Sequence, residues 1–266
     1  MEIVSDISLI EKDIIEKFAA VDIGNSRLKL LYNNTFESFA YNSDFNISIE
    51  NYLSNLPNIN LTFAISSVNS IITNEFIKIL SNHQNFQSLP IQVYLEKQNL
   101  VDFSSVSGIG EDRKLGIIGG LLYAMPPFAT IDIGTATTIN VIDKDKTFRG
   151  GVIFPGPFTQ MKSLNDSTAA LKDFKIEQSR SIIATNTADA INSGIINGSV
   201  GSILFFIDYL RENIINQENF PIFITGGSSF LIRDILEKYC SNIQYKPYLV
   251  PLGIMKMMTA ANNKFF

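Results

Sequence analysis

The segment Ala20-Val21-Asp22-Ile23-Gly24-Asn25-Ser26 returns later in the chain as Thr130-Ile131-Asp132-Ile133-Gly134-Thr135-Ala136. Apolar, strand-like runs flank each copy, so each reads as a β-hairpin with a carboxylate beside its tip. The return strands are Leu28-Lys29-Leu30-Leu31 and Thr138-Ile139-Asn140-Val141. Glycine permits close backbone approach and lets N–H groups point at an anion, which suits a phosphate. One such hairpin alone would be an ordinary turn, because Asp and Gly are common turn residues. Two in matched positions point to a duplicated nucleotide clamp, one copy per half of the chain.

The 266 residues suffice for one large domain or two small ones, and the repeat favours two halves. A formal charge of −5 with 18% charged residues offers no basic stripe, so nucleic acid is not an expected partner. The single cysteine, Cys240, has no internal disulfide partner, and the lone His83 excludes a clustered histidine metal site. Both suit a cytoplasmic protein. His83 lies in a polar stretch and reads as a solvated loop residue. The most apolar stretch, Gly116 to Met125, is short and ends at Pro126-Pro127, so no membrane partner is expected. Residues 1–17 place Ile3, Ile7, Ile10 and Ile14 at helical spacing among charged residues, which predicts an amphipathic helical extension rather than a signal peptide.

Strands are expected at Leu61–Ile65, Ile91–Leu95, Phe128–Asp132, Thr138–Ile142, Gly150–Phe154 and Pro221–Thr225. Helices are expected from about Ile71 to Leu80, over 112–125, and from Thr187 to about Asn216. Both halves thus run strands first and helices after, an α/β pattern, with a first domain over 18–126 and a second over 127–266. Gly194, Gly198 and Gly201 give the long helix a small-residue face, which fits either packing inside the domain or a dimer interface. P-loop and Rossmann fingerprints are absent.

The paired Asp-Ile-Gly hairpins resemble the actin, hexokinase and Hsp70 type of site, which implies duplicated ribonuclease H-like domains with ATP in the cleft between them. Gly110-Glu111-Asp112-Arg113 resembles the Gly-x-Asp-Arg signature of type III pantothenate kinases. Further segments match that family in order: Ser66-Ser67-Val68, Asp132 to Thr138, Gly150 to Gly156, Asn186 to Ile191 and Thr225-Gly226-Gly227. The resemblance implies phosphorylation of pantothenate by ATP, the first step toward coenzyme A, by a homodimer using Mg²⁺ and a monovalent cation, K⁺ or NH₄⁺.

By the same resemblance Asp112 is the general base, and Gly110, Glu111, Asp112, Arg113 and Thr187 bind substrate. Arg113 would hold the substrate carboxylate with its planar fork. Asp22, Ile23, Gly24, Asn25, Ser26, Arg27, Leu28 and Lys29, together with Thr135, would bind ATP, with Asp22 near Mg²⁺ through water. Asp132 would serve the monovalent cation. A carboxylate cannot strip a free alcohol of its proton but can accept that proton late in a loose phosphoryl-transfer transition state. Ordinary alternatives stand beside these roles: Asp112 and Arg113 as a helix cap, Lys29 as a solvent-facing strand residue, and Thr187 as a helix-start residue.

The chain departs from the family pattern at several points. Phe103 stands where a substrate-contacting tyrosine is usual, so the expected binding residue there lacks a hydroxyl. Ser105 replaces a proline, Ser26 a threonine, and Glu111 and Lys114 are unusual, Glu111 being placed to raise the pKa of Asp112. These departures keep open a catalytically weak relative with a regulatory or binding role, and a kinase of the same superfold with another acceptor.

Overall fold

The computed structural model describes residues 6–168, 171, 173–177 and 182–263. Ile-, Val-, Phe- and Ala-rich runs become the central strands of two sheets, because such runs are the pattern of strands covered on both faces. In the first sheet β1 (Phe18–Ile23) pairs antiparallel with β2 (Arg27–Tyr32), which pairs antiparallel with β3 (Thr35–Ala40). On its other side β1 runs parallel to β4 (Leu61–Ser67), and β4 parallel to β5 (Phe86–Pro90), giving the order β3-β2-β1-β4-β5. Helices α1 (Lys12–Lys17), α2 (Phe45–Ser54), α3 (Ser70–Leu80), α4 (Gln92–Leu95) and α5 (Glu111–Gly120) accompany this sheet.

The second sheet repeats the plan. Strand β6 (Phe128–Ile133) pairs antiparallel with β7 (Ala136–Ile142), β7 with β8 (Phe148–Pro155), and β6 runs parallel to β9 (Ile222–Thr225), which neighbours β10 (Ile243–Tyr245). Read from β8, the order β8-β7-β6-β9-β10 is that of the first sheet. Helices α6 (Pro157–Ser167), α7 (Thr187–Leu210) and α8 (Arg233–Tyr239) belong here, with a π-helical turn, Arg211–Ile215, extending α7.

The described chain divides into two compact units, but not at 126/127. One unit takes residues up to Val101, Ser107–Tyr123 and the segment from Tyr248 onward; the other takes Asp102–Val106 and Ala124–Pro247. The last helix, α9 (Leu249–Asn262), therefore belongs with the first sheet, where it packs on α5 and β1. Its crossing with α5 is too close for side chains. A Cβ on Gly119 would strike the Leu249 carbonyl, and one on Gly253 the Leu115 carbonyl. Among residues 6–17, Ile7, Ile10 and Ile14 are buried and α1 contacts β1, β4 and α9, so the N-terminal segment packs on the first unit.

Two sequence readings need correction. Ile91–Leu95 is not a strand: Ile91 and Leu95 are buried while Val93 is 49% exposed, the i, i+4 pattern of a helical turn. The strand is the preceding Phe86–Pro90. One helix among the described residues, Thr187–Ile215, is long and apolar enough to cross a membrane, which the sequence reading did not pick out. Its Val200, Ile203, Ile207 and Leu210 are buried in the second core with β6, β7 and β9. Gly194, Gly198 and Gly201 lie on its opposite, exposed face with no described atom within 4 Å of an added Cβ, so they do not serve packing inside the unit.

Candidate active site

In the first hairpin Asp22 lies opposite Lys29, and the Gly24 N–H bonds to the Arg27 carbonyl at 3.1 Å, leaving Asn25 and Ser26 as an exposed two-residue tip. Lys29 Nζ reaches Asp22 Oδ2 at 3.1 Å, with the Asp22 side chain only 7% exposed. Lys29 is therefore not a solvent-facing strand residue; it balances a buried carboxylate. Ile23 and Leu28 are fully buried and can offer a ligand only backbone groups. Arg27 donates from Nε to Ser38 Oγ at 2.6 Å and from Nη2 to the Ser38 carbonyl at 3.0 Å, which ties the hairpin to β3.

The parallel register sets Ser66 beside Asp22 and Ser67 beside Ile23 at the end of β4. Ser66 Oγ donates to Glu111 Oε2 at 3.3 Å, and the Ser67 N–H also reaches the Glu111 carboxylate. Glu111 opens α5 and lines a crevice of about 460 Å³ in which Ser67, Asn69 and Thr73 stand among the apolar Ile65, Val68 and Ile77. Burial raises its pKa against the pull of these donors, and Asp112 adds to the rise.

Asp112 sits in the first turn of α5, where Oδ1 accepts the Arg113 N–H at 2.8 Å. Gly110 is the residue before the helix, and a Cβ added there would lie 2.5 Å from that same oxygen, so Asp112 would have to shift. Burial raises the pKa of Asp112 and the charge of Asp22 raises it further, while the Arg113 N–H and the charges of Arg113 and Lys29 oppose the rise. Burial lowers the pKa of Arg113. The first unit thus brings Asp22, Lys29, Asp112 and Arg113 within electrostatic reach of one another. The helix-cap alternative does not hold: the residue at the cap position is Gly110, which makes no side-chain cap bond, and Asp112 lies inside the first turn.

In the second unit Asp132 lies opposite Thr138, and the Gly134 N–H bonds to the Ala136 carbonyl at 2.9 Å. Only Thr135 remains at the tip, so this hairpin is one residue shorter than the first and has no lysine opposite its aspartate. Asp132 lies beside Thr225 on β9, and the following Gly226, at φ +97°, leaves no room for a Cβ against Asp132 Oδ1 or the Ile133 backbone. Thr135 is exposed, and its carbonyl accepts from the Gly156 N–H at 2.9 Å and Thr159 Oγ1 at 2.6 Å. Thr187 is the exposed first residue of α7, where Asn186 supplies the cap to the Asp189 N–H.

Phe103 belongs to this unit. Its ring lies 5.5 Å from that of Phe148, and Ser105 Oγ donates to the Phe148 carbonyl at 2.8 Å. Sequence reading missed Tyr41, whose hydroxyl bonds to the Gly24 carbonyl, and Thr159; Ser66, Ser67 and Gly226 it picked out only within family-matching segments, without the serines' hold on Glu111 or the glycine's place behind Asp132. These contacts act through strand register or a neighbouring element, so no local pattern announces them.

A family model described as type III pantothenate kinase matches residues 18–208. A type III pantothenate kinase of Sulfurihydrogenibium sp. is 30% identical over 242 residues, covering 86% of this chain and 95% of its own. One from Rubrobacter xylanophilus is 29% identical over 265 residues, covering 91% and 97%. Among solved structures, a Campylobacter jejuni protein assigned to the Baf family of transcriptional activators superposes with a TM-score of 0.59 at 21% identity, over 92% of this chain and 99% of that one. An archaeal actin homolog superposes with a TM-score of 0.53 at 11% identity, over 93% and 100%. At these identities the structural likenesses show a shared actin-like ATPase fold.

Proposed function

Since the chain belongs to the type III pantothenate kinase family, we propose that it transfers the γ-phosphate of ATP to the 4′-hydroxyl of pantothenate, with the residue roles given below. The observation that carries the roles is the cluster in the first unit, where Asp112 shares one electrostatic neighbourhood with Asp22 and Lys29.

Asp112 accepts the hydroxyl proton as the bond to phosphorus forms. A loose transition state asks mainly for orientation and late proton uptake, and a raised pKa makes the carboxylate a better late acceptor. Its tie to the Arg113 N–H fixes the direction from which it works. Arg113 binds the carboxylate of pantothenate beside Gly110 and Glu111, and in the second unit Phe103 and Thr187 keep the substrate-binding roles that the family resemblance implies. Residues 22–29 and Thr135 bind ATP, chiefly through backbone groups at the hairpin tips and through Lys29.

The residues present fit Mg²⁺ of one kind only. Among the described residues no group of three or more His, Cys, Asp or Glu forms a cage, whereas Asp22 offers one buried carboxylate. Mg²⁺ keeps several waters and takes one or two carboxylates beside phosphate oxygens, so Asp22 would hold it through water. Asp132, backed tightly by Gly226, fits a monovalent cation, K⁺ or NH₄⁺. Bound cations of both kinds would offset the negative charge that gathers around the transferring phosphate.

A homodimer is part of this reading, and a cytoplasmic location goes with it. The exposed face of α7 carries Gly194, Gly198 and Gly201, then Phe205 at 64% and Tyr209 at 51% exposure, which suits close approach of an identical helix. The direct test is conversion of pantothenate to 4′-phosphopantothenate by purified protein with ATP, Mg²⁺ and K⁺. Absence of product beside an active reference kinase would sink the proposal.

A further inference from the structure

The Gly24 carbonyl, just before the tip of the first hairpin, accepts a hydrogen bond from Tyr41 Oη at 2.9 Å. We propose that Tyr41 is a positioning residue for the nucleotide phosphates, holding the Gly24–Asn25 peptide in the orientation that aims the Asn25 N–H at them. The inference rests on the nucleotide reading of this hairpin and extends it to a residue outside the hairpin.

In a planar trans peptide the carbonyl and the following N–H point in opposite directions. A carbonyl pinned toward Tyr41 therefore leaves the Asn25 N–H aimed away from Tyr41. A glycine at 24 would otherwise leave this peptide plane free to turn. The donor is itself fixed. Tyr41 directly follows β3, its ring meets Phe45 edge-on at 5.3 Å, and it packs against the first core. Burial, and then the charge of Asp22, hold the phenol well above its ordinary pKa, so it remains a donor wherever the enzyme works.

In the second unit the held carbonyl lies one residue further round the turn than the counterpart of Gly24, which is Gly134. There the tip carbonyl of Thr135 is held by the Gly156 N–H and Thr159 Oγ1. Each turn thus has a carbonyl tied to a neighbouring element, at different positions of the turn.

Tyr41→Phe keeps the ring against Phe45 and removes only the donor. By titration calorimetry the Kd for Mg²⁺·AMPPNP should rise about fivefold, the scale of one lost hydrogen bond. The KM for pantothenate should stay unchanged, and the nucleotide-free thermal midpoint should stay within about 2 °C of the parent. Equal Kd values in the two proteins overturn the proposal. So does weaker binding accompanied by a lower midpoint, which is the mark of a purely structural tyrosine. Failure of the parent protein to bind Mg²⁺·AMPPNP is a different result: it removes the nucleotide reading of the hairpin, and this inference with it.

Discussion

In the proposed reaction Asp112 accepts a proton, and it stands where burial and Asp22 make its own charge costly to keep. Replacing it with Asn keeps the shape and the acceptor for the Arg113 N–H but removes the base, so kcat should fall on the order of 10²–10³-fold. The same change should raise the thermal midpoint at pH 7 by a few degrees. The sign follows from linkage: a carboxylate whose folded pKa is raised costs stability once both states are ionised, and the cost fades as pH falls toward the unfolded value. A midpoint that drops would contradict the burial account. Activity runs the other way with pH. The base must be unprotonated, so kcat/KM should decline as pH falls through the raised pKa of Asp112, on an acid limb above the usual carboxylate range near 4. The motif made Asp112 and Arg113 legible in the sequence. Gly110 was legible only as a motif position, and a side chain there would press on Asp112 Oδ1 and displace it.

Glycines at the element scale fall into two sets with opposite expected behaviour. At Gly119 a methyl group would meet the Leu249 carbonyl, so Gly119→Ala should destabilise by roughly 1–3 kcal/mol through overpacking. Differential scanning calorimetry should find a midpoint several degrees lower, and turnover should fall too because α5 carries Asp112. At Gly194 the added methyl meets no described atom, so Gly194→Ala should leave the midpoint of the subunit equal or higher through better helix propensity. Sequence spacing exposed the small-residue face of α7 but could not choose its role, since periodicity marks a face and not what covers it. The strands of both hairpins were legible from apolar runs beside turn residues. The segment 91–95 was not, because five residues with alternating polarity satisfy a strand and one helical turn alike, and only the burial of Ile91 with Leu95 decides.

Across the whole molecule the duplicated hairpin led the reading to two halves, and the two sheets share one strand order. What the repeat could not reveal is that the chain ends by returning to the first unit. That return depends on Gly119 and Gly253 facing each other across a helix crossing more than a hundred residues apart in sequence, a pairing no local pattern announces. The one-residue difference in hairpin length was equally hidden, since it lies in strand register. Its consequence is chemical. Asp22 faces Lys29 across its hairpin, whereas Asp132 faces Thr138, and the proposed reading gives phosphate to the first hairpin and a monovalent cation to the second. Rates should therefore depend on K⁺ or NH₄⁺, and Asp132→Ala should flatten that dependence; equal rates in Na⁺ alone would argue against the cation role. The homodimer reading is tested on α7. A bulky charge on its glycine face cannot be accommodated where two helix backbones approach closely, so Gly198→Arg should convert a dimer to a monomer in sedimentation velocity. Gly198 is exposed with open space above it, so the subunit itself should tolerate the arginine and unfold at the midpoint of a monomer rather than aggregate. A variant that sediments like the parent protein would move the interface elsewhere and return the glycine face to solvent.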